Sequence, residues 1–463
     1  MHDVVIAKGD GIGPEIMEAV LHILSALGAP LNFHPICIGE KVYKEGHISG
    51  ITEESWEILR KYRVFLKAPI TTPQGGGFKS LNVSIRSGLG LFANIRPCIS
   101  YAPFVSTKHP LMDLIVVREN EEDLYAGIEY QYSSHLTYSH KLISRPGSER
   151  IIRYAFEYAI QQGKKKVSCF IKDNIMKLSD GLFHQVFQQV ALEYPHITAE
   201  SWIVDIGAAK LADTPELFEL IVMPNLYGDI LSDVAAQISG SVGLAGSANI
   251  GIQGCMFEAI HGSAPKRAGQ NVANPSGLLL ASILMLAHLG ENSLATTLHE
   301  AFLATLESGI HTYDIYRKET SKKKVGTQEF AQAVVEHLGK KPHNLKAPVY
   351  QKSFPLEKTS PHFFPQMQKT LVGIDITFLF SPSLDKLLST IQKSIPSSWL
   401  LVALFNRGAH VWTCTQKNHK SSAFCTEEWR CRFGLHKQEA LSYSNVLALL
   451  HHLQNAGMEI LKT

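Results

Sequence analysis

Between an apolar run, "DVVIA" (residues 3–7), and a helical pattern, "IMEAVLHILSAL" (16–27), the chain carries "GDGIGPE", Gly9 to Glu15. How that turn is read decides the fold. A Rossmann dinucleotide fingerprint needs Gly-x-Gly-x-x-Gly between strand and helix, with an acid about 20 residues on for the ribose hydroxyl. Here the third glycine comes one residue early and Pro14 follows it. Proline suits a first helical turn, whose N–H has no intrahelical partner, and Glu15 suits the positive end of the helix dipole. Ile16, Val20, Ile23, Leu24 and Leu27 then recur at helical spacing. The stretch is therefore a strand-to-helix turn at the mouth of a cleft, and alone it names no ligand.

Composition bounds the class. With 463 residues, 45% hydrophobic and 19% charged, the chain can bury a large core and should form two or three domains. Lysine plus arginine total 44 against 42 acids, a balance that gives no electrostatic footprint for nucleic acid. The seven cysteines are scattered without Cys-x-x-Cys pairs, which favours reduced thiols and argues against a zinc site. The opening "MHDVV" has neither a basic region nor a long apolar one, so a cytoplasmic protein is expected. The longest apolar stretch, "GLLLASILMLAHLG" (277–290), is broken by Ser282 and His288 and is too short to span a bilayer. It is expected to be a buried helix, with no membrane partner.

As far as about Leu338, short apolar runs alternate with helical patterns. "VSCFI" precedes "SDGLFHQVFQQVALEY", and "LFELIVMPN" precedes "YGDILSDVAAQISG". That alternation predicts an α/β architecture with a largely parallel sheet. Residues 342–368 then carry five prolines, Pro342, Pro348, Pro355, Pro361 and Pro365, and read as an extended linker draped over the first domain. After it, the patterns predict strand, helix, three strands and helix, a small α+β domain over 369–463. The lysine runs 164–166 and 322–324 read as solvated surface.

The segment from Lys67 to Pro97 mixes three adjacent glycines with hydroxyls, an amide and two arginines. Such a loop suits an anion: Ser80 and Asn82 are compact donors, and Arg86 and Arg96 are planar forks that grip carboxylates bidentately. Arg118 ends another apolar run, with Tyr125 a short way beyond. Each arginine alone could equally serve an ordinary ion pair. The acids follow a different pattern. Asp229 and Asp233 are four residues apart, hence on one face of a helix starting just after Asn225, where like charges repel. A divalent cation relieves that repulsion, and all-oxygen ligands suit magnesium or manganese. A plain solvated helix face is the competing reading. Asp205 could supply a third carboxylate, and Lys172, ending "VSCFIK", is a candidate proton carrier.

Taken together, "GDGIGPE", "TTPQGGGFKSLNVSIR", "ANIRP", "VVRENEEDLYAG", "NLYGDILSD" and "HGSAPKRAGQNVANP" resemble the isocitrate and isopropylmalate dehydrogenase family of β-decarboxylating oxidoreductases, over roughly residues 3 to 338. The resemblance implies that family's two-domain fold, distinct from the Rossmann one. Residues 1–92 and 240–341 would form a discontinuous nucleotide-binding domain, and 93–239 a small substrate and dimerisation domain with a clasp. Carried over, it gives Thr71, Ser80, Asn82, Arg86, Arg96 and Arg118 to substrate, and Asp205, Asp229 and Asp233 to the metal. Asp205 and Lys172 would enter the neighbouring subunit's site, making the active unit a homodimer with shared sites. Family members acting on isopropylmalate place larger, often apolar groups at the Ser-x-Asn pair. Ser80 and Asn82 instead suit a third carboxylate, which favours isocitrate as substrate.

The same resemblance implies a mechanism. Lys172, with Asp205, would take the proton of the C2 hydroxyl as hydride leaves for the nicotinamide, and Tyr125 would protonate the enolate left by decarboxylation, giving 2-oxoglutarate. Lys67 and Thr71 match positions near the nicotinamide. In the cofactor loop, Lys266 and Arg267 fit a 2′-phosphate and leave no carboxylate for a ribose diol, so NADP is expected over NAD. Tyr313 and Arg317, one helical turn apart, match the pair that NADP-dependent members aim at that phosphate. His261 and Asn274 would contact adenosine. Residues 369–463 resemble the extra C-terminal domain of a bacterial subgroup through "NRGAHVW" and "WRCRFG". The rival readings are a dehydrogenase for homoisocitrate, isopropylmalate or tartrate, a regulatory subunit with a dead site, and a binding module built on the last domain.

Overall fold

The computed structural model describes all residues except 73–79, 351–367, 381–382, 416–424 and 437–440. The Pro-Gly-rich part of the loop after Thr72 and most of the linker therefore lie outside the described residues. Contacts divide the chain into two compact units, residues 1–130 with 138–362, and residues 131–137 with 363–463.

In the first unit the strands are His2–Ala7 (β1), Leu31–Pro35 (β2), Val64–Lys67 (β3), Ala93–Ile99 (β4), Asp113–Glu119 (β5), Glu129–Ser133 (β6), Leu136–Ser139 (β7), Lys166–Ile171 (β8), Thr198–Ile203 (β9), Leu220–Met223 (β10), Gly246–Ile250 (β11), Cys255–Ala259 (β12), Ile310–His311 (β13) and Lys323–Lys324 (β14). The helices are Gly13–Ala26 (α1), Glu40–Lys44 (α2), Glu53–Tyr62 (α3), Leu81–Gly88 (α4), Arg145–Gln161 (α5), Ser179–Ala191 (α6), Val204–Asp213 (α7), Asn225–Ile238 (α8), Ser276–His288 (α9), Asn292–Glu307 (α10) and Thr327–Glu336 (α11). Ten strands form one sheet in the order β2-β1-β3-β12-β11-β4-β5-β10-β8-β9, and β6 pairs with β7 as a separate hairpin whose tip belongs to the second unit.

The expected parallel sheet holds at its two wings and fails at its centre. The pairs β12–β11, β11–β4 and β4–β5 are antiparallel, and the remaining six neighbouring pairs are parallel. At β11–β12 the reason is chain economy: only four residues, 251–254, join the strands, the Gly251 N–H donates to Gly254 O at 2.9 Å, and no crossover helix fits there. The stretch read as a buried helix is α9, apolar on every side and enclosed by the core, with Ser282 Oγ donating back to Leu278 O at 2.9 Å. Among the described residues no helix is long and apolar enough to cross a membrane. The described start of the linker does drape over its own unit: Glu307 accepts from the backbone N–H groups of His343, Asn344 and Leu345, and Tyr350 meets the buried His299 at 2.6 Å.

In the second unit, Ile374–Leu379 (β15), Trp399–Asn406 (β16), Ala409–Thr413 (β17), Glu428–Leu435 (β18) and Glu459–Lys462 (β19) make an antiparallel sheet in the order β17-β16-β18-β15-β19, with Leu384–Ser394 (α12) and Tyr443–Asn455 (α13). The sequence reading stopped at α13 and missed β19, whose four residues are too few for a period-two signal. Along β18, Trp429, Cys431 and Phe433 point inward while Arg430 and Arg432 are exposed, and Arg432 grips Asp375 through two bonds of 2.7 and 2.9 Å.

Candidate active site

The turn that decided the fold is a clamp of backbone on backbone. Gly9 and Gly11 adopt φ of 63° and 58°, a region glycine enters freely. A Cβ on Gly11 would stand 2.0 Å from the Ser263 carbonyl oxygen, and one on Gly9 would stand 2.1 Å from that of Pro69. Between them, Asp10 accepts from the N–H of Thr71 at 2.8 Å and of Glu40 at 3.1 Å. Thr71 in turn meets Ser263 Oγ at 2.8 Å. The glycines thus lock three loops of the cleft together. Asp10, which no spacing rule singled out, is the carboxylate at their junction.

Arginines from three elements converge beside α8. Arg96, on β4, donates to Asn94 and Ser232 at 2.6 Å each, and to both Asp229 and Asp233 at 3.2 Å. Arg118, at the end of β5, donates to Asn225 at 2.9 Å and to Asp229, and its guanidinium lies 4.8 Å from the centre of the Tyr125 ring. Arg86, on α4, pairs with Glu258 at 3.0 Å. The repulsion between Asp229 and Asp233 is relieved in this arrangement by Arg96, which bridges them, a partner that helical spacing could not reveal. Three cations crowd together here. Burial first, then Arg86 and Arg96, lower Arg118 to about 9. Burial opposes charge on Asp229, but Arg118 and Arg96 outweigh it and hold its pKa below the usual value. Burial raises Asp233. Tyr125 Oη donates to Asp229 at 2.5 Å, and burial keeps the phenol protonated to a higher pH than usual.

Several buried polar atoms here lack a hydrogen-bond partner: Arg118 Nη2, Arg86 Nε and Asn82 Oδ1. Leaving a buried donor unsatisfied costs about 1–3 kcal/mol, more for a charged group, so guanidinium donors of this kind fit an anionic ligand. Ser80 stands just before α4, its Oγ 3.4 Å from Thr72 Oγ1. Lys67, expected near the nicotinamide, is itself buried and paired with Glu258 at 2.8 Å. Glu258 lies 172 residues from its other partner, Arg86, and sequence offered no signal for it.

The three aspartates expected at the metal do not gather in one chain. Asp205, in the first turn of α7, pairs with Lys172 at 2.5 Å, and the Lys172 ammonium lowers its pKa. Among the described residues no three His, Cys, Asp or Glu side chains group as a cation site. Asp229, half-buried, and Asp233, exposed, lie along one face of α8 and offer hard oxygen donors that fit magnesium or manganese once a further carboxylate is brought to them.

At the proposed cofactor loop, Lys266 and Arg267 lie on an exposed turn, Pro265–Arg267, and the Arg267 guanidinium stacks 4.4 Å from the Tyr313 ring centre. Tyr313 and Arg317 lie in a turn rather than a helix; Arg317 is exposed and donates to the Tyr316 carbonyl at 2.8 Å. Asn274, two residues before α9 begins, accepts from Ser276 N at 3.0 Å and donates to Asp314 at 3.0 Å. His261 has a buried Nε2 without a partner, and burial lowers its pKa.

A cleft that sets converging guanidiniums over paired aspartates, beside a phenol held protonated, defines a class of enzyme that binds a hydroxy-polycarboxylate and does acid-base chemistry on it. The chain belongs to the isocitrate/isopropylmalate dehydrogenase family, which it matches over residues 3–334, and its residues 369–463 match the C-terminal domain of bacterial isocitrate dehydrogenase. It is 50% identical to the NADP isocitrate dehydrogenase of Rickettsia bellii, over 99% of this chain and 95% of that one. It is 42% identical to the NADP isocitrate dehydrogenase of Thermus thermophilus, over 93% of this chain and 86% of that one. The crystal structure of the TT0538 protein of Thermus thermophilus superposes with a TM-score of 0.92 at 38% identity, covering 99% of this chain and 92% of that one.

Proposed function

We propose that the chain oxidatively decarboxylates isocitrate to 2-oxoglutarate and carbon dioxide while reducing NADP, with magnesium or manganese as cation and a homodimer with shared sites as the active unit. The carrying observation is the set of buried guanidinium donors left open on Arg118 and Arg86 beside Asp229, Asp233 and Tyr125. Arg86, Arg96 and Arg118 bind the substrate carboxylates, and Ser80 and Asn82 receive the third. Asp229 and Asp233, with Asp205 of the partner subunit, would hold the cation, which when bound would lower the pKa of the substrate hydroxyl. Lys172 Nζ takes the hydroxyl proton as it passes one of its own to Asp205, the carboxylate it is paired with. Tyr125 Oη delivers a proton to the carbon from which carbon dioxide departs. NADP supplies the hydride acceptor, and Lys266, Arg267, Tyr313 and Arg317 surround its 2′-phosphate, with His261 and Asn274 at the adenosine and Lys67 and Thr71 towards the nicotinamide.

Exposed apolar side chains support docking of a second copy. Ile175 and Leu178 follow Lys172 at 69% and 89% exposure, Ile206 adjoins Asp205 and Ile230 adjoins Asp229 at 55% and 54%. The division into a nucleotide part, 1–92 with 240–341, and a substrate part, 93–239, rests on the family resemblance; the largest apolar cluster runs through both parts, from Val4 by way of Ile151 and Val222 to Val334. A cytoplasmic setting agrees with cysteines that form no disulfide. The dead-site reading loses ground because Lys172, Tyr125 and all three aspartates are retained.

The test is an initial-rate assay with isocitrate, each nicotinamide cofactor, and magnesium, manganese or excess chelator. Turnover should vanish with chelator. Charge-assisted bonds are worth roughly 1.5–3 kcal/mol each, so even two, discounted for exposure, should favour NADP over NAD by about a hundredfold. Lys266→Asp combined with Arg267→Ile should erase most of that preference. A wild-type ratio near one would show that this loop does not read the 2′ position.

A further inference from the structure

Lys141 belongs to no motif of the proposed mechanism, yet it sits where three segments of the mechanism meet. Its ammonium lies 2.6 Å from Asp180 and 3.5 Å from Asp123, both fully buried, and 4.5 Å from the centre of the Tyr227 ring. Each partner holds a different piece of the site. Asp180 accepts from the backbone N–H of Lys172 at 2.7 Å and from Tyr227 Oη at 3.2 Å. Asp123 accepts from Leu226 N at 2.8 Å, at the start of the helix that carries Asp229, and stands two residues before Tyr125. Asp123 itself is held at φ 66°, a backbone conformation rare for any side-chain-bearing residue.

We propose that Lys141, with Asp123 and Asp180, is a positioning hub that keeps Lys172, the Tyr125 turn and the N-terminus of α8 in mutual register. This rests on the function proposed above. The physical case is one of charge. Two carboxylates and one ammonium share a dry site, so removing the ammonium leaves two buried negative charges facing each other. The segments that bear those carboxylates must then move apart or take up protons, and either change releases the Lys172 amide or the α8 terminus. No hydrogen bond or ion pair joins Arg86, Arg96 or Arg118 directly to the three hub residues; Arg118 is linked to them only through Asn225 at the start of α8, so the larger part of the effect falls on Lys172, whose backbone the hub holds directly. Lys141 acts through its neighbours and makes no contact with the groups assigned to substrate.

The test reads Lys172 directly and then reads turnover. Lysine acetylation by dilute acetic anhydride, followed residue by residue in the full-length protein, needs no substrate. In Lys141→Met the Lys172 rate, relative to that of Lys393 in the second unit, should shift by about threefold or more, faster because its pair with Asp205 loosens; Lys141→Arg should restore it. With isocitrate, Lys141→Met should lower kcat by about tenfold or more while KM stays within about threefold, and Lys141→Arg should recover most of the loss. Should Lys141→Met fail to fold, Lys141→Gln, which removes the charge but keeps a hydrogen-bond donor for Asp180, carries the same expectations. Unchanged Lys172 labelling in the folded variants overturns the hub. A changed label with unchanged kcat, or a loss expressed wholly in KM, overturns its part in the reaction. A wild-type protein that turns over no isocitrate but shows hub-dependent labelling overturns the proposed function and leaves the hub standing.

Discussion

Two buried glutamates of the first unit end with their pKa values displaced in opposite directions. Burial alone would raise Glu258, but the Lys67 ammonium and the Arg86 guanidinium outweigh it and hold its carboxyl well below the usual range. Its contribution to stability is therefore present at neutral pH and lost as acid protonates it. Glu119 has no cation against it; burial raises it from 4.5 to about 7, although the N–H groups of Glu121 and Glu122 resist the shift. A raised carboxyl binds its proton more tightly folded than unfolded, so its contribution is full below about 4.5 and is lost as pH rises through about 7. The displacement corresponds to about 3 kcal/mol at most. Glu119→Gln, which is always neutral and can still accept both backbone bonds, should unfold at a temperature that falls less between about pH 5 and pH 8 than the wild type's. Parallel melting curves across that range would show that Glu119 is ionised at no cost.

At the level of elements, the most informative position is Gly228 in α8. Alanine in a helix interior normally gains about 1 kcal/mol over glycine. Here a Cβ would stand 2.6 Å from Cγ and 2.7 Å from Cβ of Arg118, and 3.2 Å from its Cα. Overpacking costs about 1–3 kcal/mol, so the clash should win. Gly228→Ala should lower the unfolding temperature and raise KM for isocitrate severalfold, because Arg118 can yield only by leaving its place above Asp229. A more stable variant with an unchanged KM would mean that Arg118 is not fixed by α8. The same helix separates what could be read in advance from what could not. Its start after Asn225 and the shared face of Asp229 and Asp233 follow from local periodicity. Arg96 bridging those two carboxylates does not, since it lies more than a hundred residues away and reaches them only through the pairing of β4 with β5. Asp10, Glu258 and Asp314 were illegible for the same reason: each is an acid whose partners are set by tertiary contact. The Tyr313–Arg317 spacing misled in the other direction, because four-residue separation fits a single turn as well as a helix.

For the molecule as a whole, the unresolved chemical demand is that Lys172 and Asp205 stand paired with each other while Asp229, Asp233 and Tyr125 form their own cluster. Local periodicity puts Asp229 and Asp233 on one face, whereas the expectation that Lys172 and Asp205 enter a neighbouring subunit's site comes only from the family resemblance, because subunit assembly leaves no periodicity in a chain. A homodimer in which each subunit lends Lys172 and Asp205 to its partner satisfies the demand, and complementation tests it. Lys172→Met and Asp229→Asn, purified separately, should each be nearly inactive. When the two are unfolded together and refolded, about half of the dimers should be mixed, and in a mixed dimer one site collects both defects while the other has neither. Activity should then return to about a quarter of the wild-type value, and should do so only in the mixture. If each subunit instead supplied its own Lys172, every site in the mixture would carry one defect and nothing would return. Ile175→Glu with Ile230→Glu adds a second reading, since buried carboxylates at the apolar rim should yield monomers that keep the first unit's fold but lose turnover. Monomers of that double variant with full activity would place the whole reaction within one chain.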